Sequence, residues 1–322
     1  MLDSFYLACY RFHLKVVDEM PLPAYKGAVL RGGFGSVFRR TICCQRHHRT
    51  CEPCPLRYVC PYPLLFEPSP PPGSEALRTH EAIPRPFVLE PPQDRRRLYA
   101  PGDELCFGLT LVGKATRYLP YFIVAFLRLG ELGLGRARSR YVLQRVEALH
   151  PSTGRVIPIY ENGALLTEGQ ESVVSYAEIA QAASAENASR LTLHFLTPAR
   201  LKYNGRYLED APPFHVVVRT LLRRVSSLSY FHCGQRWETD YRGWIQQAQE
   251  VETETAEVRW VDWERYSTRQ RQRMNLGGIT GHVTYKGELT PFLPLLRLGE
   301  LIHVGKGATF GNGQYRMEGV RG

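Results

Sequence analysis

A six-residue segment occurs twice in this chain, and this repeat constrains the fold more than any other sequence feature. The sequence LRLGEL at 127–132 returns unchanged at 296–301. The two copies are 300 − 131 = 169 residues apart, about half of the 322-residue chain, and each continues into a segment of glycines and basic residues. A chain of this length commonly forms about two domains. The repeat therefore predicts two fused copies of one small fold.

Hydrophobic periodicity gives both halves the same order of elements. Alternation with a period of two predicts strands, and apolar residues at three- and four-residue spacing predict helices. In the first half the predicted elements are a strand at 2–17, a helix at 25–40, strands at 87–89 and 105–112, a helix at 119–132 and a strand at 140–149. In the second half they are a strand at 191–195, a helix at 215–231, strands at 258–263 and 281–285, a helix at 293–298 and a strand at 314–317.

This β-α-β-β-α-β order is that of the ferredoxin-like fold, which RNA-recognition domains also use. We therefore predict an α+β protein with two tandem ferredoxin-like domains, an N-terminal one at 1–155 and a C-terminal one at 190–322. The glutamate-rich segment 156–189 is predicted to be an acidic connector between them.

The charge balance indicates the class of partner. A net charge of +10 favours a polyanion such as nucleic acid. No apolar run approaches the roughly 18 residues of a membrane-spanning helix. The N-terminal residues lack the basic start and apolar centre of a signal peptide. We therefore expect a cytoplasmic protein with reduced cysteines and no membrane partner.

A cysteine-rich segment at 43–66 is predicted to be an insertion in the first domain. It contains Cys44, Cys51, Cys54 and Cys60 in the pattern C-x6-C-x2-C-x5-C. Four thiols this close in a reducing compartment favour a structural zinc ion, which has no open coordination position for catalysis. Free or disulfide-linked cysteines and an iron–sulfur cluster are the alternatives, and Cys43 could replace Cys44.

A glycine-rich loop near the C-terminus is the best candidate for anion binding. It runs from Gly305-Lys306-Gly307 to Gly311-Asn312-Gly313. Glycine lets the backbone approach a ligand closely and present its N–H groups, and Lys306 adds a positive charge. We predict that this loop binds RNA. The alternative is a loop that only packs between a helix and a strand.

Alternating arginines provide two further candidate contacts with phosphate. Alternate spacing along an extended chain places side chains on one face, which suits a phosphate track, although a solvated face is the alternative. The predicted RNA-binding arginines are Arg136, Arg138 and Arg140 in the first half and Arg269, Arg271 and Arg273 in the second. On the first helix, Arg31 could bind a phosphate or pair with a carboxylate.

These motifs together resemble the CRISPR repeat endoribonucleases of the repeat-associated (RAMP) superfamily. The matching segments are PAYKG at 23–27, LRGGFG at 30–35, the cysteines ending in Cys60-Pro61-Tyr62, GGITG at 277–281, YKG at 285–287 and the loop 301–313. The resemblance implies two ferredoxin-like domains and cleavage of the CRISPR precursor transcript into guide RNAs. It also implies repeat RNA and other CRISPR effector subunits as partners, and no catalytic metal.

Cleavage of RNA without a metal needs few groups. A base takes the proton of the ribose 2′-OH, an acid protonates the leaving 5′-oxygen, and a cation stabilises the phosphorane. The products would be a 2′,3′-cyclic phosphate and a 5′-OH. His47 and His48, which follow the first helix, are the candidate catalytic histidines. The resemblance adds Tyr25 and Lys26.

Two questions stay open from the sequence. His303, just before the glycine-rich loop, is a rival candidate for the base and is otherwise a predicted RNA contact. The main alternative function is a non-catalytic guide-RNA-binding RAMP subunit of an effector complex. A zinc-stabilised nucleic-acid-binding protein unrelated to CRISPR is a more distant alternative.

Overall fold

The computed structural model of the chain describes residues 2–45, 47–48, 50–70, 83–167, 172–267 and 272–319, with the side chains of 264–274 outside this description. The chain divides into two compact units. We call Ser4–Val174 together with Ser227–Gln235 the N-terminal unit. The C-terminal unit consists of Met1–Asp3, Ser175–Ser226 and Arg236–Gly322.

The N-terminal unit is built on an antiparallel sheet with helices packed on one face. Its strands are β1 (Tyr6–Val16), β2 (Met20–Pro21), β3 (Phe87–Glu90), β4 (Leu98–Tyr99), β5 (Glu104–Val112), β6 (Tyr141–Leu149), β7 (Val156–Glu161) and β8 (Ala164–Leu165). Its helices are α1 (Gly27–Ile42), α2 (Pro61–Phe66) and α3 (Leu119–Leu132). The order of strands in the main sheet is β3-β5-β1-β6-β7-β8, and β2 pairs with β4 separately.

Aromatic side chains form the core between this sheet and its helices. Phe34 of α1 stacks on Phe122 and Phe126 of α3, with ring centroids 4.7 and 5.0 Å apart. Phe12 of β1 contacts Phe107 of β5 and Phe126, at 5.0 and 5.2 Å between centroids. All five rings are buried. Because alternate residues of a strand point to opposite faces, the neighbours of Phe12 on β1 face away from the helices.

The C-terminal unit repeats this arrangement. Strand β9 (Val174–Ser175) lies at the unit boundary and pairs with β1. The strands of the C-terminal unit are β10 (Arg190–Ala199), β11 (Lys202–Tyr203), β12 (Arg206–Tyr207), β13 (Glu252–Val261), β14 (Glu264–Ser267), β15 (Gln272–Asn275), β16 (Gly278–Lys286) and β17 (Tyr315–Glu318). Its helices are α4 (Tyr176–Ser184), α5 (Phe214–Leu228), α6 (Tyr241–Gln249) and α7 (Leu293–Ile302). Within the described residues, no helix is both long enough and apolar enough to cross a membrane.

The order of strands confirms two tandem ferredoxin-like folds. The main sheets run β3-β5-β1-β6 and β13-β16-β10-β17, so in each unit the first strand lies between the third and the fourth. All neighbouring strands in these two sets are antiparallel. Helices α1 and α3 in one unit, and α5 and α7 in the other, make the two crossovers of the β-α-β-β-α-β pattern.

The segment 156–189 differs from the predicted connector, because its described parts belong to the two units. Strands β7 and β8 extend the N-terminal sheet beyond β6, which would otherwise expose the unpaired backbone of an edge strand. Helix α4 belongs to the C-terminal unit and begins with a capping box in which Ser175 and Glu178 bond each other's backbone N–H. The boundary between the compact units therefore lies at Val174 and Ser175.

The repeated LRLGEL segment forms the C-terminal half of the second helix in each unit. Its glycines, Gly130 in α3 and Gly299 in α7, lie against the tyrosine that begins the fourth strand. A Cβ atom at Gly130 would collide with the backbone oxygen of Tyr141, and one at Gly299 with the hydroxyl of Tyr315. Each tyrosine also bonds the helix, since Tyr141 donates to Phe126 O (2.8 Å) and Tyr315 donates to Leu296 O (2.6 Å).

Alanine substitutions at two helical glycines should therefore have opposite effects on stability. We expect Gly130→Ala to lower the free energy of unfolding by about 1–3 kcal/mol, because the added methyl group overpacks the contact with β6. Gly32→Ala, in α1, meets nothing within 4 Å and should raise it by about 0.5–1 kcal/mol through helix propensity. Urea unfolding of both variants measures this, and a stabilised Gly130→Ala protein would contradict the packing argument.

Candidate nucleic-acid interface

The four residues predicted to be catalytic lie at opposite ends of α1. Tyr25 and Lys26 precede the helix, whereas His47 and His48 follow it. With 16 residues at a rise of 1.5 Å each, α1 is about 24 Å long. Arg39, in the last turn, donates a 2.6 Å hydrogen bond to His48 O and so holds the histidines at the C-terminal end. The prediction that these four residues form one catalytic group is therefore corrected, because the pair before the helix and the pair after it cannot act on one phosphate.

Lys26 has a structural role. Its side chain is fully buried, and its Nζ donates to Asp94 Oδ1 at 2.7 Å and Asp94 O at 2.9 Å. Burial alone would raise the pKa of Asp94, but hydrogen bonds from Lys26 and Tyr99 outweigh it and lower the pKa. The ammonium thus holds the segment around Asp94 against the start of α1. It is enclosed by protein and cannot reach a phosphate, which removes Lys26 from the catalytic candidates.

His47 and His48 form a pair at the surface. Their ring centroids are 4.0 Å apart, with His47 exposed and His48 half-buried. The turn that presents them is closed by His48 N, which donates to Gln45 O at 3.2 Å. Arg39 and Arg40 lie in the adjacent last turn of α1. An exposed imidazole beside cationic side chains is suited to proton transfer at a phosphodiester, so the predicted role of this pair stays a prediction.

Two arginine-bearing loops of the N-terminal unit meet at Leu22. The loop 133–140 approaches it through Gly135, where a Cβ atom would lie 3.5 Å from Leu22 Cδ2. The second loop is joined to the same residue by a hydrogen bond from Leu22 N to Arg97 O (2.9 Å). Exposed arginines from both loops form what we call the N-terminal basic rim: Arg95, Arg97, Arg136 and Arg138. The sequence reasoning missed Arg95 and Arg97, although the run RRR at 95–97 was a signal.

Two other predicted RNA contacts are engaged within the protein. Arg140 makes two hydrogen bonds to Asp18, from Nε at 2.8 Å and Nη2 at 2.9 Å, and these lower the pKa of that carboxyl to about 2. Arg31 is half-buried, with its guanidinium carbon 4.5 Å from the ring centroid of Phe66. Stacking of this kind contributes to packing. The sequence left open whether Arg31 contacts a phosphate or a carboxylate. The structure adds an aromatic ring as a third kind of partner.

The glycine-rich loop folds tightly on the end of β10. Five of its backbone amides donate within the protein: Lys306 N to Arg200 O, Phe310 N to Gly307 O, Gly311 N to Ala308 O, Asn312 N to Gly307 O and Gly313 N to Pro198 O. Asn312 is buried and donates from Nδ2 to Leu276 O at 2.9 Å. These amides therefore serve the packing of the loop between helix and strand, which was the alternative to anion binding. The exposed charge of the loop is Lys306, and its contact with RNA stays a prediction.

His303 is enclosed at the start of this loop. It is fully buried, with Nδ1 3.1 Å from Asn312 O. Its backbone has φ 63° and ψ 157°, a region populated almost entirely by glycine. The N-terminal copy has Gly133 at the corresponding helix end, with φ 85° and ψ 144°. Burial keeps this imidazole from direct contact with a substrate in this conformation, which favours a structural role over that of the base.

A short hairpin beside the glycine-rich loop was missed by the sequence reasoning. Strands β11 and β12 are joined by Asn204-Gly205, both with positive φ, which is the signal of a tight hairpin turn. The ring of Tyr207 lies 4.2 Å from the guanidinium carbon of Arg200 and 6.0 Å from Lys306 Nζ. We call this group the hairpin cluster, and its members are Arg200, Lys202, Tyr203, Arg206, Tyr207 and Lys306.

His215, near the start of α5, extends the hairpin cluster with a titratable group. Its ring contacts that of Tyr203, with centroids 5.5 Å apart. Burial lowers the pKa of His215, and the charge of Arg219 lowers it further. In the part of the chain that the structure describes, its Nε2 is buried and has no hydrogen-bond partner. This imidazole is therefore neutral at neutral pH, and the sequence pattern around it gave no signal.

The two basic groups occupy corresponding places in the two folds. In each unit the segment after the first strand meets the loop after the second helix. A Cβ atom on Gly135 would lie 3.7 Å from Pro21 O, and one on Gly305 would lie 2.5 Å from Arg200 O. Lysine and arginine side chains can neutralise phosphates, and tyrosine rings can stack on bases. The arrangement is thus suited to a single-stranded polyanion.

In the cysteine-rich segment, the residues Cys51, Cys54 and Cys60 are half-buried and Cys44 is exposed. Burial raises the pKa of Cys51 to about 12, with further contributions from Glu67, Cys60 and Cys43. Burial also raises the pKa of Cys60, and Cys43, Cys54 and Cys44 raise it further. Among the described residues, no three of these thiols lie within 4.8 Å of one another. The zinc ion predicted for this segment therefore stays a prediction.

The second set of alternating arginines is only partly described. Arg269 and Arg271 lie outside the described residues. Arg273 is in β15, where it pairs with Tyr266 of β14, and its side chain is not described. Their predicted contacts with RNA therefore stay predictions.

Family models match both units. The model of the AF_1859_N N-terminal domain matches residues 5–172, which is half of the chain. The model of the CRISPR-associated endoribonuclease Cas6 matches residues 193–315. An uncharacterized protein of Archaeoglobus fulgidus is 28% identical over 306 residues, covering 92% of each chain.

Solved structures share the whole fold. The product complex of Thermus thermophilus Cas6 matches with a TM-score of 0.58 and 19% identity, covering 97% of this chain and 100% of that chain. A partial Cas6-RT-Cas1–Cas2 complex matches with a TM-score of 0.61 and 15% identity, covering 99% of this chain and 47% of that chain. At these identities the likeness concerns the fold.

The buried ion pair of Lys26 should make stability depend on pH. Because its folded-state pKa is lowered, Asp94 stabilises the fold above its unfolded value of about 3.9, and this contribution is lost as the pH falls through the folded value. We expect Asp94→Asn to lower the free energy of unfolding by about 1–2 kcal/mol at pH 7. This is the low end of the range for a charged hydrogen bond, because the side chain of Asp94 is half-exposed. Urea unfolding at pH 7 and pH 2.5 measures this.

The matched control is Glu131→Gln, which breaks an exposed pair with Arg128. It should change stability by less than about 0.5 kcal/mol at either pH. An Asp94→Asn penalty that persists unchanged at pH 2.5 would show that the carboxylate charge is not its origin.

Proposed function

We propose that this chain, which belongs to the family of the AF_1859_N domain and matches the Cas6 endoribonuclease model over residues 193–315, is a RAMP-type endoribonuclease that cleaves CRISPR repeat RNA without a catalytic metal ion. The observation that carries the proposal is the pair of basic groups at corresponding places in two ferredoxin-like units. The N-terminal basic rim and the hairpin cluster are suited to a ribose-phosphate chain. The Cas6 match covers the unit that contains the hairpin cluster.

In the proposed mechanism the nucleophile is the substrate's own 2′-OH. His47 or His48 takes its proton, the oxygen attacks the adjacent phosphorus, and the 5′-oxygen leaves as an alcohol after protonation by a second acid. Arginine side chains of the adjacent helix end, such as Arg39 or Arg40, would offset the charge of the phosphorane. The products are a 2′,3′-cyclic phosphate and a 5′-OH. DNA would resist cleavage because it lacks the 2′-OH.

The proposed partners are the repeat RNA and other CRISPR subunits. The solved relatives include a Cas6 bound to its product and a complex in which Cas6 occurs with RT, Cas1 and Cas2. By analogy, the precursor transcript is the substrate here. We further propose that the chain works in the cytoplasm, where such transcripts are made.

The proposed cofactor is a structural zinc ion bound by Cys44, Cys51, Cys54 and Cys60, with Cys43 as the alternative to Cys44. The spacing of these cysteines, C-x6-C-x2-C-x5-C, supports it. A bound zinc ion would fix the segment that leads out of the His47–His48 turn. All four ligands being thiolates, it would take no part in the reaction.

A cleavage assay in EDTA tests the proposed activity. The wild-type protein should cut repeat RNA with the chelator present, and should leave unchanged a repeat whose scissile nucleotide is 2′-deoxy. The double variant His47→Ala/His48→Ala should lose at least about 100-fold in single-turnover rate, the usual contribution of a general base, while its affinity for RNA changes little.

Three outcomes would contradict parts of this proposal. Repeat RNA that is bound but not cut would favour the non-catalytic RAMP subunit. Cleavage that stops in EDTA would require a metal. Full activity of the double variant would place the base elsewhere, and His215→Ala is then the next variant to assay, because its imidazole is neutral and lies in the hairpin cluster.

Substitution of exposed cations should weaken RNA binding in a salt-dependent way. We expect Lys306→Ala and Arg138→Ala each to lower affinity for repeat RNA several-fold and to reduce the slope of log K against log salt by about one phosphate contact, roughly 0.7–0.9. Arg128→Ala is the control, since that exposed arginine pairs with Glu131 on α3. Fluorescence anisotropy at several salt concentrations measures the slopes, and equal slopes for Lys306→Ala and Arg128→Ala would count against the hairpin cluster.

A further inference from the structure

A histidine is clamped between carboxylates on the face of the N-terminal sheet that points away from α1 and α3. His13 follows Phe12 on β1, so its side chain lies on the opposite face from the aromatic core. It is nevertheless buried, with only 5% of its surface exposed. Its Nδ1 lies 2.6 Å from Glu104 Oε1, and its Nε2 lies 2.9 Å from Glu147 Oε2.

A thiol completes the group. Cys106 lies directly opposite His13 in the pairing of β1 with β5, and its Sγ is 3.2 Å from His13 Nδ1. The donor atoms of His13, Glu104 and Cys106 all lie within 4.8 Å of one another. In the part of the chain that the structure describes, this is the one set of three potential metal ligands that meets that distance.

Glu147 takes the place of the carboxylate that commonly accepts the second N–H of a metal-binding histidine. A histidine that ligates a metal through one ring nitrogen usually donates its other N–H to a carboxylate, which fixes the ring and its tautomer. Here Glu147 bonds Nε2, which leaves Nδ1 directed at Cys106 and Glu104. One imidazole, one thiolate and one carboxylate suit zinc, for which three protein ligands leave a fourth position for water.

The surrounding charges can accommodate a dication. Arg145 lies opposite His13 on β6, with Nη2 3.5 Å from His13 Nδ1 and Nε 3.5 Å from Glu147 Oε1. Arg11 and Lys15 are the exposed residues that flank His13 on the same face of β1. Two carboxylates and a thiolate contribute three negative charges at the site itself. These three negative charges offset the two positive charges of a zinc ion and the one of Arg145.

We propose that His13 Nδ1, Cys106 Sγ and the carboxylate of Glu104 bind a zinc ion or a similar soft divalent cation, with Glu147 holding the imidazole. On binding, the Cys106 thiol releases its proton to solvent and the thiolate bonds the metal. The ion joins β1 to β5 on the face that points away from α1 and α3. It is a second metal site, distinct from the cysteine-rich segment.

The C-terminal copy shows which part of this group is specific to the N-terminal unit. His194 on β10 lies opposite His282 on β16 and Arg316 on β17, and Glu318 Oε2 is 2.6 Å from His194 Nε2. His13, Arg145 and Glu147 thus have counterparts in the same register. Glu104 precedes Cys106 by two residues, whereas Thr280 takes that position before His282. The counterpart of Glu104 in the C-terminal group is therefore a threonine.

Metal titration of the full-length protein tests the proposal. Purified apo protein is titrated with cobalt(II) as a zinc probe, following thiolate-to-cobalt charge-transfer absorption, and bound zinc is measured after reconstitution. Cys106→Ser should bind one equivalent fewer than wild type and retain the equivalent of the cysteine-rich segment. Cys9→Ser is the matched control, because Cys9 is a part-buried β1 thiol that lies by Thr110. It should bind as many equivalents as wild type.

A second variant covers the case in which Cys106→Ser does not fold. The side chain of Glu104 is 50% exposed, so Glu104→Gln should fold normally. It should raise the dissociation constant of this equivalent at least about 10-fold, as even an outer-shell partner does. Equal stoichiometry of wild type and Cys106→Ser, or unchanged affinity in Glu104→Gln, would overturn the proposal and leave His13 as a histidine hydrogen-bonded to two carboxylates.

Discussion

The close packing of the second helix against the fourth strand is the contact on which the rest of each unit depends. Gly130 and Gly299 let α3 and α7 approach Tyr141 and Tyr315 so closely that no other residue type fits without displacement. The tyrosine hydroxyls then bond helix carbonyls, so helix and strand are joined by packing and by a hydrogen bond. This contact fixes where the helix ends, and therefore where the following loop leaves the core. In both units that loop comes to lie against the segment after the first strand.

Features that depend on local pattern could be predicted from the sequence. The bounds of α3, Leu119–Leu132, follow from its apolar spacing and from Gly133 at its end, and the order of elements in both halves follows from periodicity. Features that depend on distant partners could not. Lys26 is buried because Asp94, 68 residues away, supplies a carboxylate, and nothing near Lys26 in the sequence indicates this. Arg95 and Arg97 join Arg136 and Arg138 only because β2 pairs with β4.

The glycine-rich loop shows how one pattern can serve two purposes. From the sequence, several glycines beside a lysine suggested backbone amides directed at an anion. In the structure Gly305 and Gly313 allow the loop to pass over Arg200 O and Val304 O, and five amides of the loop donate hydrogen bonds within the protein. The strained backbone of His303, about 1–3 kcal/mol unfavourable for a residue other than glycine, is held by this packing. The loop thus positions Lys306 and the hairpin cluster rigidly, and rigid placement of cations reduces the entropy lost on binding.

The value of each positive charge for binding RNA depends on what the fold already pairs with it. Lys26 and Arg140 are held by carboxylates, and Arg31 stacks on Phe66, so recruiting any of them to a phosphate would first break an existing contact. Exposed cations on loops can meet a phosphate at the surface, and the ions released when they bind provide the salt-dependent part of affinity. A net charge of +10 therefore overstates the surface that RNA can use. The exposed cations proposed to contact RNA are concentrated where the fold brings two loops together. Because the fold is duplicated, such a place occurs once in each unit.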